Sequence, residues 1–332
     1  MNIKFAIALV ALAALCIFAL AQEDDAGAWY RRGLDLIGNS SPQEAVWAYD
    51  RAIQIDPSFA DAWKAKASAL ASAGQHQESL QAYDQAIELY DQSVNAGSNR
   101  SEAWYEKGSA LRDRAIVMQV MGADSQGRTR YREEAVIAFE KATELDPQYA
   151  EAWQGIGSTL YDLGRFEESL NAFNRAMEID PDLPGALAGK GMALSALGNE
   201  DEASKAYGNV IDKVDGEIGN ASSDQELSAA WLAKGYLLQE QGRYEEAVKA
   251  LDLSTRADPE NAMAWKVKGV ILSIKLGRHQ ESLEAFDRAV QIDPNDPEAW
   301  IGIGRIFRTQ GRSQDADDAL ARTKGLGYMG PL

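Results

Sequence analysis

Apolar residues recur at i, i+3, i+4 and i+7 in runs of about a dozen residues, a spacing that puts them on one face of a helix. The runs come in pairs, with two kinds of break between them. Gly74-Gln75, Gly164-Arg165, Gly242-Arg243 and Gly277-Arg278 end the first helix of a pair, because glycine accepts a positive φ after a helix C-terminus without strain. Asp-Pro ends the second at Asp56-Pro57, Asp146-Pro147, Asp180-Pro181, Asp258-Pro259 and Asp293-Pro294, since the residue before proline is pushed out of the α region. The chain therefore reads as tandem pairs of amphipathic helices. Only the first 21 residues depart from this pattern: Phe5 to Ala21 is an uninterrupted apolar run.

The pairs repeat with a fixed period. Tryptophans stand at 29, 63, 104, 153, 231, 265 and 300, and Leu187 takes the place of an eighth. Successive intervals are 34 residues plus insertions of 0, 7, 15, 0, 10, 0 and 1. Four residues after each marker comes a small residue, as in Gly33, Ala67, Gly157 and Gly304. Later in the unit comes Ala or Ser, and four further on an aromatic or leucine, as in Ser169 with Phe173 and Ala203 with Tyr207. Small residues let the two helices of a pair approach, while the tryptophan and the later aromatic fill the gap.

These residues resemble the tetratricopeptide repeat. The family pattern is matched by Trp153, Gly157, Leu160, Ser169, Phe173, Ala176 and Pro181, and in phase with it by seven other units. The repeats fall at about 26–59, 60–100, 101–149, 150–183, 184–227, 228–261, 262–296 and 297–330, so one solenoid is expected over 22–332. The resemblance implies an all-α, right-handed solenoid of helix-turn-helix units whose first helices line a concave groove. It implies a non-enzymatic scaffold that holds a protein or peptide there. Carried over position by position, the groove would be lined by Tyr30, Arg31, Lys64, Tyr105, Gln154, Tyr161, Met192, Tyr236, Lys266, Ile301, Arg305 and Arg308. Asparagine is absent from the sixth position of every repeat, so the carboxylate clamp of the chaperone-binding members is missing. The mixture of apolar, tyrosine and isolated basic side chains suits an extended peptide with apolar and acidic residues.

Charge narrows the choice of partner. The 332 residues hold 51 Asp+Glu against 33 Lys+Arg, a formal charge of −18, and such a field repels nucleic acid and anionic membrane surfaces. One cysteine and two histidines exclude a disulfide framework and a cysteine-based zinc cage. His76 and His279 occupy the slot that Phe166 and Tyr244 fill elsewhere, so they read as packing residues. No phosphate-binding loop, HExxH helix or nucleophile elbow is found, and neither cofactor nor metal is expected.

The first segment adds a location. Met1-Asn2-Ile3-Lys4 supplies a short basic start, and Ala19-Leu20-Ala21 before Gln22-Glu23-Asp24-Asp25 is a cleavage pattern, so residues 1–21 read as a secretory signal peptide. The competing reading is an uncleaved anchor, for which the run is marginally short. An exported protein is expected, with anchoring by the N-terminal segment as the alternative. Three Asn-x-Ser triplets, at Asn39, Asn99 and Asn220, are placed in loops and are acceptors for N-linked glycan in an organism that attaches one.

Two further features interrupt the regular surface. The insertion of repeat three should lengthen a helical hairpin whose first arm is apolar, through Ile116, Val117, Val120 and Met121, and whose returning arm is polar. With five arginines against two aspartates between 112 and 132, Arg128 and Arg130 among them, this knuckle is a candidate docking point for an acidic partner. Neither end of the array has a recognisable capping helix, which gives the alternative function: a structural protein that self-associates head to tail.

Overall fold

The computed structural model describes residues 25–38, 42–97 and 100–326. Among these there are sixteen α-helices and no strand. The chain divides into two compact units, Met1–Ser98 and Asn99–Leu332. The first holds α1 (Ala26–Gly38), α2 (Pro42–Ile55), α3 (Ala60–Ser72) and α4 (His76–Asn95). The second begins with α5 (Ser101–Val120), α6 (Ser125–Leu145), α7 (Ala150–Asp162), α8 (Phe166–Ile179), α9 (Pro184–Ala196) and α10 (Glu200–Asn220). It continues with α11 (Asp224–Glu240), α12 (Tyr244–Ala257), α13 (Ala262–Val270), α14 (His279–Ile292), α15 (Pro297–Thr309) and α16 (Ser313–Gly325). Odd-numbered helices open a repeat and even-numbered helices close it. The α13 helix runs on into a π-helical turn, Ile271–Lys275.

Each break does what its residues dictate. At the turn between α7 and α8, Gly164 takes φ 75° and Arg165 N–H reaches back to the carbonyl of Leu160 at 2.9 Å, closing the helix end. The same bond runs from Gln75 to Leu70, Asn199 to Leu194 and Arg243 to Leu238. At the other break the aspartate of Asp-Pro folds its carboxylate onto the amide two residues ahead. Asp146 accepts from Gln148 N–H at 2.9 Å, and Asp56, Asp180, Asp258 and Asp293 do likewise.

The aromatic of the second helix is the pin of each repeat. Phe173 is buried between two opening helices: a Cβ at Gly157 of its own repeat would stand 2.8 Å from the ring, and one at Gly189 of the next only 2.2 Å. Phe139 is held in the same way by Gly108 and Gly155, and Phe286 by Gly269 and Gly302. Burying such a ring contributes roughly 1.5–3 kcal/mol, and here one ring joins three helices. The closing helix is also tied to the opening one by hydroxyls. Ser79, Ser169 and Ser282, all fully buried, donate to the carbonyls of Ala67, Gly157 and Gly269 at 2.7 Å.

The marker tryptophan links one repeat to the next. Indole N–H of Trp63, Trp153, Trp265 and Trp300 donates to the carbonyl of Pro57, Pro147, Pro259 and Pro294 at 2.9–3.2 Å. Leu187 has no such donor after Pro181. Three lysines three residues past a tryptophan lie over its ring and pair with the preceding closing helix. Lys66 meets Asp50 and Lys268 meets Asp252, both at 2.6 Å, and Lys234 meets Asp215.

The insertions lengthen helices more than loops. The α5 and α6 helices run 20 and 21 residues, against 13 and 14 for α7 and α8. The α4 helix reaches 20 residues, and α10 and α11 reach 21 and 17. No helix among the described residues is long and apolar enough to cross a membrane.

Candidate groove of the opening helices

Within Asn99–Leu332, α5, α7 and α9 touch in series, and α13 touches α15. Their common face is the candidate site. Tyr105 stands half-buried on α5 with its ring 5.0 Å from Tyr149 and 5.7 Å from Phe139. Burial pushes its hydroxyl above the usual phenol range, and Glu106 adds to the effect. Tyr161 packs on Phe166 at 5.3 Å and is likewise raised by burial. Gln154 lies across Gly185 of the next repeat, and Met192 packs half-buried against the core of repeats five to seven.

Tyr236, Arg305 and Arg308 are exposed on this face. Lys266 is not a free cation: its ammonium holds Asp296 at 2.8 Å and Glu298 at 3.0 Å, and its side chain is 14% exposed. Burial alone would lower its pKa, but the two carboxylates outweigh that and hold it above the ordinary lysine value. Ile301 corrects the sequence expectation. It is buried and offers little surface to a ligand, on a helix that Gly302 brings close against Phe286.

In Met1–Ser98, Tyr30 rests against Phe59 at 5.1 Å and Tyr49 at 5.9 Å, while Arg31 pairs with Asp25 at 3.4 Å. Lys64 is half-buried on α3. Leu34, which the same position-by-position reading places in the groove, is exposed on α1, as is Ile37, which that reading did not include.

The knuckle differs from its expectation. Val117 and Met121 are buried and Val120 is half-buried, leaving Ile116 as the exposed member of the four. The two helices of the hairpin pack closely along their length, and Tyr131 stands among the polar residues of the returning one. Arg114 stacks on that ring at 4.0 Å and Arg112 pairs with Asp113 at 3.0 Å. Arg132 donates to Gln119 at 2.5 Å, and Arg130 pairs with Glu134 at 2.8 Å. Arg128 is half-buried beside them. The local positive charge is thus largely held by the hairpin itself.

Asn39 and Asn99 lie outside the described residues, as does the leader at 1–21. Asn220 is exposed, but it is the last residue of α10 rather than part of a loop. No group of three or more His, Cys, Asp or Glu suited to a metal ion occurs among the described residues.

Comparison with known families decides what the array is. Residues 30–94, 232–297 and 274–326 match one family model, 150–183 a second and 123–149 a third, and each is described as Tetratricopeptide repeat. Together they take in about two thirds of the chain.

The chain belongs to the tetratricopeptide repeat family.

A search of curated proteins finds no match. Among solved structures, the crystal structure of yeast Tom70 is 11% identical, with a TM-score of 0.48 over 94% of this chain and 87% of that one. The Cut9 and Hcn1 hetero-tetramer of APC/C matches at 15% identity and a TM-score of 0.51. That match covers 92% of this chain and 54% of the other, so this chain spans about half its length. At 15% identity the second match is a likeness of fold alone. Tetratricopeptide repeats are generally protein-binding units, and their fold is typically a non-catalytic scaffold.

Proposed function

We propose that this is an exported, non-enzymatic tetratricopeptide scaffold that binds a protein or peptide partner along the face of its opening helices. The observation that carries the reading is the composition of that face between Asn99 and Leu332. Large side chains stand where the core does not need them, with Tyr236 39% exposed and Val270 36% exposed, beside exposed Arg305 and Arg308. Groups of this kind, amphipathic rings and guanidinium forks, dominate binding energy at protein interfaces. Export is supported by the leader pattern of residues 1–21 and the following acidic Gln22-Glu23-Asp24-Asp25.

The test is affinity capture from the extracytoplasmic fraction of the source organism with the mature chain. Tyr105→Ala and Arg305→Glu should each deplete a band that the unsubstituted chain retains. Equal capture by all three forms sinks the groove reading.

A further inference from the structure

We propose that repeats six to eight carry a docking site for a short extended segment that combines bulky apolar side chains with a carboxylate, and that the π-helical turn after α13 builds it. This deepens the groove reading and rests on it. The distance from tryptophan to the turn glycine is eleven residues in Trp63–Gly74, Trp153–Gly164, Trp231–Gly242 and Trp300–Gly311, but twelve in Trp265–Gly277. The extra residue is absorbed inside the helix. Leu276 N–H reaches five residues back to the carbonyl of Ile271 at 3.2 Å, and Arg278 N–H six back to that of Leu272 at 2.8 Å. A π turn is a local irregularity that recurs at functional sites. Ile271 and Leu272 stay fully buried, so the helix keeps its grip on the core while the surplus is pushed outward. The residue brought out is Ile274, at 65% the most exposed large hydrophobic side chain among the described residues.

Ile274 continues a stripe. Val270 and Met263 precede it on the same helix and are both exposed, so the stripe runs about 16 Å at 1.5 Å per residue. Tyr236 of α11, five residues after its own tryptophan as Val270 is, is exposed and close enough to feel the charges of Lys266 on α13 and Glu298 on α15. The α15 helix, which touches α13, presents Arg305 and Arg308, both exposed. Other cations nearby are engaged: Lys266 by Asp296 and Glu298, Arg278 by Glu281, and Arg312 by Asp315 at 2.6 Å. Arg305 and Arg308 have no carboxylate partner in the described structure.

An apolar stripe beside two uncommitted guanidinium groups on the neighbouring helix favours a carboxylate over an ammonium group through local charge, against the net negative field of the chain. Its length corresponds to about five residues of extended chain at roughly 3.3 Å each. The occupant is therefore an acidic and apolar peptide segment of another protein.

Fluorescence anisotropy with the full chain tests this. The probes are three labelled peptides in which leucine alternates with glutamate, with glutamine or with lysine. The glutamate peptide should bind saturably, the glutamine peptide about tenfold more weakly and the lysine peptide not measurably. Ile274→Ser, and Arg305→Glu combined with Arg308→Glu, should each raise the Kd of the glutamate peptide about tenfold or more, with circular-dichroism melting to show that the variants fold. Deleting Ile274, which restores the eleven-residue spacing, should have the same effect on binding without loss of helix.

Equal affinity for the glutamate and lysine peptides overturns the proposal, as does absence of saturable binding. So does an unchanged Kd in the folded variants. If Tyr105→Ala abolishes binding while the repeat-eight variants do not, this site fails and the wider groove reading stands.

Discussion

Gly157 and Phe173 show how little room the array leaves at single positions. A methyl group at Gly157 would stand 2.8 Å from the ring, so the ring or the helix must move. Gly157→Ala should cost about 1–3 kcal/mol and Phe173→Ala about 3–5 kcal/mol, both read by urea unfolding. Lys266 makes a second prediction, about pH. Its folded pKa is raised, so the stability it contributes is complete below the unfolded lysine value of about 10.4 and is lost as pH rises through the folded value. Lys266→Met should therefore cost roughly 1–3 kcal/mol, with a constant penalty from about pH 6 to 9 that shrinks only in strong alkali. A penalty that vanished near neutrality would contradict this ion-pair assignment. The same residue marks a limit of sequence reading: position alone placed Lys266 in the groove, but its charge is spent on Asp296 and Glu298 at the start of α15, some thirty residues on.

The helices themselves are legible in the sequence, because a face of apolar residues, a glycine turn and an Asp-Pro stop are all local signals. What covers a face is not local. Val117 and Met121 read as surface because their hairpin partner looked polar, yet both are buried once the two long helices pack together. Ile301 read as groove from its place in the repeat alone, whereas packing leaves it buried. The 35-residue interval after Trp265 announced one extra residue, but only the hydrogen bonds show that a helix, and not a loop, accommodates it. The link between repeats is also an element-level property. Trp153→Phe keeps most of the packing and removes the donor to Pro147, so it should lower stability by about 1 kcal/mol. The same change at Trp300 should behave alike, and chemical denaturation of both variants checks it.

At the scale of the molecule, the sixteen α-helices among the described residues lie in two compact units and the chain carries a surplus of negative charge. Arg305 and Arg308 are two exposed cations side by side on one helix of this acidic chain. Export predicts that native protein begins at Gln22, which intact-mass measurement reads directly; a mass that retains residues 1–21 supports the anchor instead. Light scattering over a concentration series separates the scaffold from its structural alternative, since a binding scaffold stays at one mass and a head-to-tail assembly grows.

The most direct test of the central claim is comparative capture from the extracytoplasmic fraction, using the mature chain, groove variants Tyr105→Ala and Arg305→Glu, and an outer-surface variant such as Arg175→Ala, which loses only an exposed pair with Glu178. The account predicts a partner retained by the unsubstituted and Arg175→Ala chains and lost from both groove variants. Capture that survives the groove changes and falls with Arg175→Ala would contradict it.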